Sequence, residues 1–355
     1  MPGRHISAAA LMQHAISLLA GAHPHPNPRV ACVIANSAGE VISTGVHQAA
    51  GGPHAEVLAI ENATGPLDDA TLVVTLEPCA HHGRTPPCVD AILASGITHV
   101  VVGATDPDGR VSGSGIERLR DAGVEVTTDV MVSEVEAEDP GYFHHRRTGR
   151  PLVTLKMAST LDGQAAAADG SSQWITGETA RTDAHLLRSR SDAVLVGAGT
   201  LRLDDPMLDV RIEGYAGHQP RPVVVAGSGE LPSARRLWAR DPLVYATRPV
   251  ATPGGEVVVV SGGDRVDIDA VIKDLGSRGI VDLMVEGGPA VAHSFLTGGH
   301  VNRLVWYLAA NLAGGQGRPA FKGVFATIGE AIEVEIIGSR MVGADLRVDA
   351  EMSGV

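Results

Sequence analysis

Three side chains in one stretch of the chain could hold a metal ion. His54 is followed after one residue by Glu56, and Cys79 and Cys88 come later, each directly after a proline. One imidazole and two thiolates are good ligands for Zn²⁺, and three protein ligands leave the fourth tetrahedral position open for water, as a catalytic zinc site requires. We expect Glu56 at the start of a helix, beside this water but not bound to the metal, where its carboxylate could move protons.

The order H-x-E, then P-C, then a second cysteine is typical of zinc-dependent nucleobase deaminases. Here the two cysteines are separated by residues 80–87, a longer loop than usual, which carries His, Arg and Thr side chains suited to a polar, phosphorylated substrate. A closed structural zinc site is an alternative, because His81 or His82 could supply a fourth ligand. A second alternative is that the cysteines are small buried hydrophobic residues, which is our interpretation of Cys32 in the apolar run 30–34.

Two glycine-rich turns in the second half of the chain follow predicted strands. Residues 197–200 come after the apolar run 193–196, and residues 286–289 come after the run 282–285 and open an apolar helix. Backbone amides at such turns can bind a cofactor phosphate. The first turn departs from the dinucleotide-binding fingerprint, because Arg202 stands where the third glycine would be. A plain structural turn is an alternative interpretation of both.

These residues belong to a chain of 355 residues, a length that favours two domains. Strands and helices alternate in the predicted order, which is typical of α/β architecture with helices on both faces of a sheet. Residues 143–151 are polar and basic and end in proline, so we place the boundary there, between residues 1–148 and residues 149–355. We interpret the acidic run 134–139 as a solvated face near a linker, and residues 106–109 as a turn.

The composition excludes several classes of function. A net charge of −13 opposes binding to a nucleic-acid backbone, although a few arginines could still hold one phosphate of a small substrate. Three cysteines form no disulfide framework, and no apolar run is long enough for a transmembrane helix. We therefore expect a cytoplasmic protein with neither nucleic acid nor membrane as a partner.

Longer motifs in the first half resemble the bifunctional riboflavin biosynthesis proteins of the RibD family. They are residues 25–28 (HPNP), 54–57 (HAEV) and 75–88 (TLEPCAHHGRTPPC). The family joins a diaminohydroxyphosphoribosylaminopyrimidine deaminase to a 5-amino-6-(5-phosphoribosylamino)uracil reductase. The resemblance implies a cytidine-deaminase-like α/β/α sandwich in which Asn27 and Arg84 help to hold the substrate. One departure is Ala31, where the family usually has glycine.

Motifs in the second half resemble the reductase domain of the same family, whose α/β fold is similar to that of dihydrofolate reductase. They are residues 155–163, 172–176, 203–206 and 286–289. The resemblance implies an NADPH site formed by Ala158, Trp174, Thr200, Asp204, Gly288, Pro289, Ala290, Val291, Ala292, His293 and Ser294. It implies a substrate site formed by Ser172, Arg188, Leu208, Arg211 and Glu286.

The chemistry of these side chains suits a sugar phosphate. Arg188 and Arg211 could each grip a ribose 5-phosphate bidentately, and Lys156 and Asp204 are candidates for orienting the sugar. The alternative interpretation is that each arginine is a solvated surface charge and that Trp174 belongs to the core.

The zinc pattern and the resemblance together predict two successive reactions. The first is zinc-dependent deamination of 2,5-diamino-6-ribosylamino-4(3H)-pyrimidinone 5′-phosphate, with Glu56 as the proton carrier. The second is NADPH-dependent reduction of the ribosyl group to a ribityl chain. The alternatives are a deaminase of another pyrimidine with a repurposed reductase domain, and a non-catalytic, zinc-stabilised binding protein. Because the family tends to associate, we expect a homo-oligomer, either a dimer or a tetramer.

Overall fold

The computed structural model describes residues 7–83, 85–109, 112–260, 263, 265–323 and 325–353. Arg84, which the resemblance places beside the substrate, lies outside the described residues. The chain divides into two compact units, Met1–Thr148 and Gly149–Val355. Each unit contains its own main β-sheet.

The first unit consists of five strands and six helices in its described residues. The strands are β1 Ala31–Ala35, β2 Val41–Val46, β3 Thr71–Leu76, β4 His99–Ala104 and β5 Glu125–Thr127. The helices are α1 Ala8–Ser17, α2 Ala55–Glu61, α3 Cys88–Ser95, α4 Ser114–Asp121, α5 Val132–Glu138 and α6 Pro140–Thr148. The strands form one sheet in the order β2-β1-β3-β4-β5. β1 runs antiparallel to β2 and β3, whereas β3, β4 and β5 are parallel.

Helices cover both faces of this sheet. Every residue of β1 is buried, as is all of β3 after its first residue, and a strand buried on both faces reads as a continuous apolar run rather than an alternating one. α1 packs against β1 and β3, and α2 packs against β1, β2 and α3. Cys32 is fully buried in β1, as expected for a core residue.

The segment before residue 149 differs from the expectation of a solvated face and a linker. It folds into α5 and α6 and belongs to the first unit. Tyr142 and Phe143 anchor α6, since each is only 3% exposed. Asp139 ends the acidic run but is buried, and its carboxylate accepts hydrogen bonds from the Arg29 amide at 2.8 Å and from His25 at 3.0 Å. Residues far earlier in the chain therefore order this segment, which its local composition does not reveal.

The second unit has a larger sheet. Its strands are β6 Leu152–Thr160, β7 Gln164–Ala166, β8 Ala193–Gly197, β9 Arg221–Gly227, β10 Leu243–Ala246, β11 Glu256–Val259, β12 Asp282–Val285, β13 Arg303–Ala309, β14 Arg318–Pro319, β15 Val334–Val342 and β16 Asp345–Met352. Its α-helices are α7 Glu178–Ser189, α8 Ala198–Asp204, α9 Ile268–Ser277 and α10 Pro289–Thr297, with 3-10 turns at Arg236–Arg240 and Ile328–Glu330.

Nine of these strands pair in the order β11-β10-β9-β8-β12-β6-β13-β16-β15. The seven from β11 to β13 are parallel, and β16 and β15 continue the sheet antiparallel. Alternate residues of β8 pack on opposite faces of the sheet. Leu195 belongs to a core cluster that contains Phe295 of α10. Val194 and Val196 belong to a second cluster that contains Leu201 of α8. Loops at the carboxyl edge of the parallel strands carry the functional residues described below.

Candidate functional site

The start of α2 places His54 and Glu56 next to each other. His54 directly precedes the helix with an extended backbone, φ −76° and ψ 160°, and Glu56 lies in the first turn. The helix approaches β2 so closely that a Cβ atom on Gly45 would lie 2.1 Å from the Ala55 carbonyl oxygen. Only glycine is tolerated at such a distance, so Gly45 fixes how closely α2 and its two polar side chains approach the sheet.

Cys79 and Cys88 reach the same point from two other elements. Cys79 follows β3, and Cys88 is the first residue of α3. His54 Nδ1 lies 3.0 Å from Cys88 Sγ and 3.6 Å from Cys79 Sγ, and the three donor atoms lie within 4.8 Å of one another. Ligand atoms on a tetrahedral Zn²⁺ are separated by roughly 3.3–3.8 Å, given the usual bond lengths. The three residues therefore fit Zn²⁺ in number, chemistry and spacing.

The cluster is open on one side. Within the described residues it contains no fourth His, Cys, Asp or Glu, and both His81 and His82 are exposed. Thr85 contacts the imidazole instead, with its Oγ1 atom 3.2 Å from His54 Nε2. Partners of this kind orient the ring of a metal-binding histidine. The arrangement favours a catalytic site over the closed structural alternative.

The carboxyl group of Glu56 is buried beside these donors, at 3% exposure. Burial raises the pKa of Glu56 to about 7, and the Cys79 sulfur adds to the rise. A hydrogen bond from Cys88, assisted by His54, lowers the pKa of the Cys79 thiol well below its usual range, which favours the metal-binding thiolate. A carboxyl group that titrates near neutral pH can both accept and release a proton.

A cavity of about 260 Å³ opens beside Glu56, and Asn27 and His47 form one wall of it. Asn27 Nδ2 lies 3.0 Å from His47 Nε2, and His47 Nδ1 lies 2.9 Å from the Pro53 carbonyl oxygen. This network makes Nδ1–H the donor and Nε2 the acceptor, while burial lowers the pKa of His47. Sequence reasoning missed His47, because an isolated histidine after a strand carries no local pattern.

Segments without a predicted function also line this cavity. They contribute Asp106, Asp108, Tyr142 and Arg146. Tyr142 Oη donates to Asp106 Oδ1 at 3.0 Å, and burial raises the pKa of the Asp106 carboxyl group. Arg146 Nε lies 3.7 Å from Asp108 Oδ2. The expected turn and the expected linker therefore bring two carboxylates and a guanidinium group to the cavity.

A cavity of about 700 Å³ lies in the second unit, at the carboxyl ends of β8 and β12; we call it the cofactor cavity. This edge of a parallel sheet is where ligands usually bind. Six of the predicted NADPH-binding residues line it, namely Thr200, Asp204, Gly288, Pro289, Ala290 and Val291.

Other predicted NADPH-binding residues contact the protein interior. Ala158 and Ala292 pack into apolar clusters. The ring of His293 lies 5.5 Å from that of Phe321, and the Ser294 hydroxyl donates to a carbonyl oxygen of its own helix. The glycine-rich turn and the first residues of α10 therefore form the lining of the cofactor cavity, whereas these four side chains do not.

A third cavity, of about 660 Å³, adjoins the cofactor cavity, and we call it the substrate cavity. Ser172, Gln173, Thr200 and Asp204 line both, so ligands in the two cavities would touch, as hydride transfer requires. Its lining also includes Lys156, Trp174, Arg188, Leu208, Arg211 and Glu286.

Arg188 and Glu286 form a bidentate ion pair in the substrate cavity. Arg188 Nε and Nη2 donate to the two carboxylate oxygens at 2.5 and 2.8 Å, and Nη1 donates to the Asp209 carbonyl oxygen at 3.0 Å. Burial opposes ionisation of Glu286, but the Arg188 charge outweighs it and lowers the pKa of Glu286 to about 2. The edge of the Arg188 guanidinium group that was expected to bind a phosphate is therefore hydrogen-bonded to Glu286 instead. Arg211, paired with Asp209, is more exposed.

Two further side chains shape the substrate cavity, Trp174 and His185. Trp174 is 67% exposed, so the alternative of a core tryptophan is wrong, and the Arg181 guanidinium lies 4.4 Å from its ring centre. Burial, together with Arg188 and Arg211, lowers the pKa of His185 to about 4. His185 is therefore neutral at physiological pH and adds no charge to the cavity.

Comparison with known proteins agrees with both units. A family model described as the cytidine and deoxycytidylate deaminase zinc-binding region matches residues 6–104, and the RibD C-terminal domain matches residues 151–348. The riboflavin biosynthesis protein RibD of Aquifex aeolicus is 38% identical over 335 residues, which cover 92% of this chain and 88% of that protein. The chain belongs to the RibD family. The RibD protein of Escherichia coli is also 38% identical, over 83% of this chain and 84% of its own length.

Solved RibD structures share the fold. Acinetobacter baumannii RibD aligns with a TM-score of 0.91 at 31% identity, covering 98% of this chain and 99% of that one. A diaminohydroxyphosphoribosylaminopyrimidine deaminase/5-amino-6-(5-phosphoribosylamino)uracil reductase from Thermotoga maritima aligns with a TM-score of 0.88 at 33% identity, covering 97% and 98%.

Membership of the RibD family confirms the α/β fold class predicted for both halves. It also confirms the predicted class of enzyme, a bifunctional deaminase and reductase of riboflavin biosynthesis, with zinc and NADPH as the expected cofactors. Among the residues that the structure describes, no helix is long and apolar enough to cross a membrane.

Proposed function

We propose that residues 1–148 deaminate 2,5-diamino-6-ribosylamino-4(3H)-pyrimidinone 5′-phosphate and that residues 149–355 reduce the ribosyl group of the product. One observation carries the first step: the buried Glu56 carboxyl group lies beside three donors that fit Zn²⁺ and faces a cavity. A structural zinc site has no use for such a carboxyl group.

In the first step, water adds to the ring carbon that bears the amine, and ammonia leaves. When bound by His54, Cys79 and Cys88, Zn²⁺ supplies the Lewis acid that makes this water reactive near neutral pH. Glu56 takes a proton from the water and delivers it to the leaving amine, a transfer that its raised pKa favours. Asn27, held by His47, presents its amide to the polar edge of the pyrimidine.

In the second step, the residues that line the cofactor cavity would hold NADPH, which would supply a hydride to C1′ of the ribose. The C1′–O4′ bond breaks and the released oxygen takes up a proton, which gives the ribityl chain. Ser172, Thr200 and Asp204 line both the cofactor and the substrate cavities and so hold the two reactants together. Arg188 positions Glu286, which leaves Arg211 as the better candidate for the substrate phosphate. Lys156 lies in the same cavity and remains a candidate for orienting the sugar.

One assay tests the proposal. The zinc-loaded protein is incubated with the pyrimidinone phosphate, with and without NADPH, and ammonia is measured colorimetrically while nicotinamide absorbance is followed separately. We expect ammonia release without NADPH, and NADPH oxidation only after deamination. Ammonia release from another pyrimidine instead would favour the repurposed deaminase, and zinc binding with neither reaction would favour the binding protein.

Loss of a zinc ligand should silence only the first reaction. Mutations of residues that merely orient zinc ligands cost about 10- to 100-fold in metal affinity or activity. We therefore expect Cys88→Ser to lose at least that much ammonia release, together with bound zinc, while NADPH oxidation with the deaminated pyrimidine is retained. Cys32→Ala is the matched control, because Cys32 is a buried thiol outside the metal cluster. Full zinc content and deamination in Cys88→Ser would contradict the assigned ligand set.

The location and the assembly are also part of the proposal. Three free cysteines, two of them in the metal cluster, suit the reducing cytoplasm. A homo-oligomer, either a dimer or a tetramer, is supported by the outermost strand β15, where Ile336, Ile337 and Met341 are 66%, 55% and 62% exposed. Exposed apolar side chains on an edge strand commonly mark an interface. Sedimentation of the purified protein tests this, and a monomer at micromolar concentration would contradict it.

A further inference from the structure

Lys156 brings an ammonium group to the substrate cavity without a carboxylate partner among the described residues. Glu286, which is close enough to act on this charge, is already paired with Arg188. Burial lowers the pKa of Lys156, and the opposing effect of Glu286 is offset by that of Arg188. A buried charge is costly unless another group stabilises it, so the surroundings of Lys156 must supply such a group.

The aromatic ring of Tyr307 is in contact with this ammonium group. Lys156 Nζ lies 5.7 Å from the ring centre, within the roughly 6 Å over which a cation is attracted to an aromatic face. The strand register brings the two together: Lys156 of β6 pairs with Val305 of β13, and Tyr307, two residues further along, points to the same face of the sheet. Tyr307 also lines the substrate cavity and is only 1% exposed. The attraction is stronger where water is excluded in this way.

Asp183 of α7 holds the hydroxyl end of the Tyr307 side chain. Tyr307 Oη donates to Asp183 Oδ2 at 2.6 Å, and Arg340 and Arg347 donate to the same carboxylate at 2.6 and 2.8 Å. Burial would raise the pKa of Asp183, but these hydrogen bonds outweigh it and lower the pKa, so the carboxylate stays ionised. Burial raises the pKa of Tyr307, so its hydroxyl group remains a donor.

These side chains form one row across four strands. Tyr307 of β13 lies opposite Arg347 of β16, and Arg347 lies opposite Arg340 of β15. The row begins with Lys156 at the substrate cavity and ends at Arg340, whose side chain is 51% exposed. Within this row, Tyr307 is the residue that contacts both the Asp183 carboxylate and the ammonium group.

We propose that Tyr307 is a positioning residue of the reductase site, whose ring holds the Lys156 ammonium group at the substrate cavity while Asp183 fixes the ring. The assignment rests on the proposed reductase function and deepens it, because it identifies what keeps Lys156 in place to orient the sugar. Asp183 does not line the substrate cavity and acts through Tyr307.

The protonation of Lys156 can be observed directly, because the chain contains only three lysines, Lys156, Lys273 and Lys322. Lys273 pairs with Asp269 at the surface and Lys322 is exposed, so both serve as internal references. The full zinc-loaded chain is labelled with ¹³C at the lysine Cε atoms and titrated between pH 7 and pH 11 by NMR. The signal that is missing in Lys156→Met assigns Lys156.

Two substitutions separate the ring from the hydroxyl group of Tyr307. Tyr307→Met removes the ring and fills its space with a flexible apolar side chain, so the pKa of Lys156 should fall by about 0.4–1.5, the equivalent of the roughly 0.5–2 kcal/mol of a cation–π contact. Tyr307→Phe keeps the ring, so the pKa of Lys156 should stay at the wild-type value. Tyr307→Met alone should raise the KM for the deaminated pyrimidine roughly 2- to 30-fold. The KM for NADPH should not change, since Lys156 and Tyr307 do not line the cofactor cavity.

Other ionisable groups around Lys156 keep their charge in this titration. The pKa of Glu286 is lowered to about 2 and that of His185 to about 4. Arg188 stays charged, because Glu286 outweighs burial and raises its pKa. A difference in the pKa of Lys156 between the variants therefore reports the Tyr307 ring.

Tyr245 provides the matched control. Its hydroxyl group donates to Asp274 at 2.7 Å, and Arg278 donates to the same carboxylate at 2.6 Å, so its chemistry is that of Tyr307 with Asp183. Tyr245 is equally buried, but it belongs to β10 and lines neither the cofactor cavity nor the substrate cavity. Tyr245→Met should leave the pKa of Lys156 and both KM values at the wild-type level.

The inference is wrong if Tyr307→Met leaves the pKa of Lys156 unchanged, or if Tyr307→Phe or Tyr245→Met lowers it as much as Tyr307→Met does. Tryptophan fluorescence verifies that the second unit is folded in each variant, and if Tyr307→Met does not fold, a lowered pKa in Tyr307→Phe still overturns the inference. The titration requires no turnover. A wild type that does not oxidise NADPH with the deaminated pyrimidine would therefore refute the proposed reductase function, while the NMR result would still decide whether Tyr307 holds Lys156.

Discussion

Replacing Glu56 with Gln is expected to lower the rate of ammonia release by roughly 10²- to 10⁴-fold, the usual contribution of a positioned general acid–base. The amide keeps the size of the side chain but can neither accept the proton of the attacking water nor return it to the leaving amine. Since Glu56 is not one of the three clustered donors, the variant should retain zinc. It should also oxidise NADPH normally when given the deaminated pyrimidine.

The matched control is Glu61→Gln, the same change at the exposed end of the same helix. Ammonia release and zinc content should both remain at the wild-type level there. If Glu56→Gln released ammonia at an unchanged rate, Glu56 would not be the proton carrier. If zinc were lost in Glu56→Gln as well, the fall in activity would report the metal site and not proton transfer.

The metal cluster could be predicted from the sequence because its information is local. His54 and Glu56 lie two positions apart at the start of a helix, and the two Pro-Cys pairs mark the ends of β3 and the start of α3. Each element is short and largely apolar, and a proline directly precedes each of the three donor residues, so both the position and the type of the element are visible in the pattern.

The rest of the deaminase cavity could not be predicted, because its residues depend on contacts distant in sequence. Arg146 lies in a basic segment that resembles a linker, but in the structure this segment is a helix in which Tyr142 and Phe143 are buried. Asp106 looks like part of an exposed turn, yet it is 6% exposed and accepts a hydrogen bond from Tyr142. The composition of a segment indicates whether it favours solvent, but it does not identify the distant residues that will pack against it.

In the reductase half, the pairing of charged side chains could not be predicted from the sequence either. Arg188, which the sequence predicts to bind the substrate phosphate, lines the substrate cavity. A guanidinium group suits a phosphate and a carboxylate equally well, so its type alone could not show that Glu286, far along the chain, takes its bidentate edge. The pairing required the adjacency of α7 and the turn after β12, which only the fold supplies.

Removal of one partner of this ion pair is expected to destabilise the second unit strongly. The two side chains are only 13% and 11% exposed, and removal of one partner of a buried pair costs about 3–5 kcal/mol, because the other charge stays buried alone. Glu286→Gln should therefore lower the free energy of unfolding by that amount at pH 7. Tryptophan fluorescence during urea denaturation is the measurement, since the only tryptophans, Trp174, Trp238 and Trp306, belong to the second unit.

Glu256→Gln is the matched control, because Glu256 makes an equally bidentate pair with Arg278 but is 48% exposed. A loss in the free energy of unfolding below about 1 kcal/mol is expected for this variant.

The effect of Glu286→Gln should also depend on pH. The carboxyl pKa is lowered from an unfolded value of about 4.3 to about 2 in the fold. The stabilisation by Glu286 is therefore fully present above the unfolded value and is lost as the pH falls through the folded one. The difference between the wild type and Glu286→Gln should be constant from pH 7 to pH 5 and smaller at pH 3. A difference that persists unchanged at pH 3 would show that the cost comes from packing of the amide and not from the buried charge of Arg188.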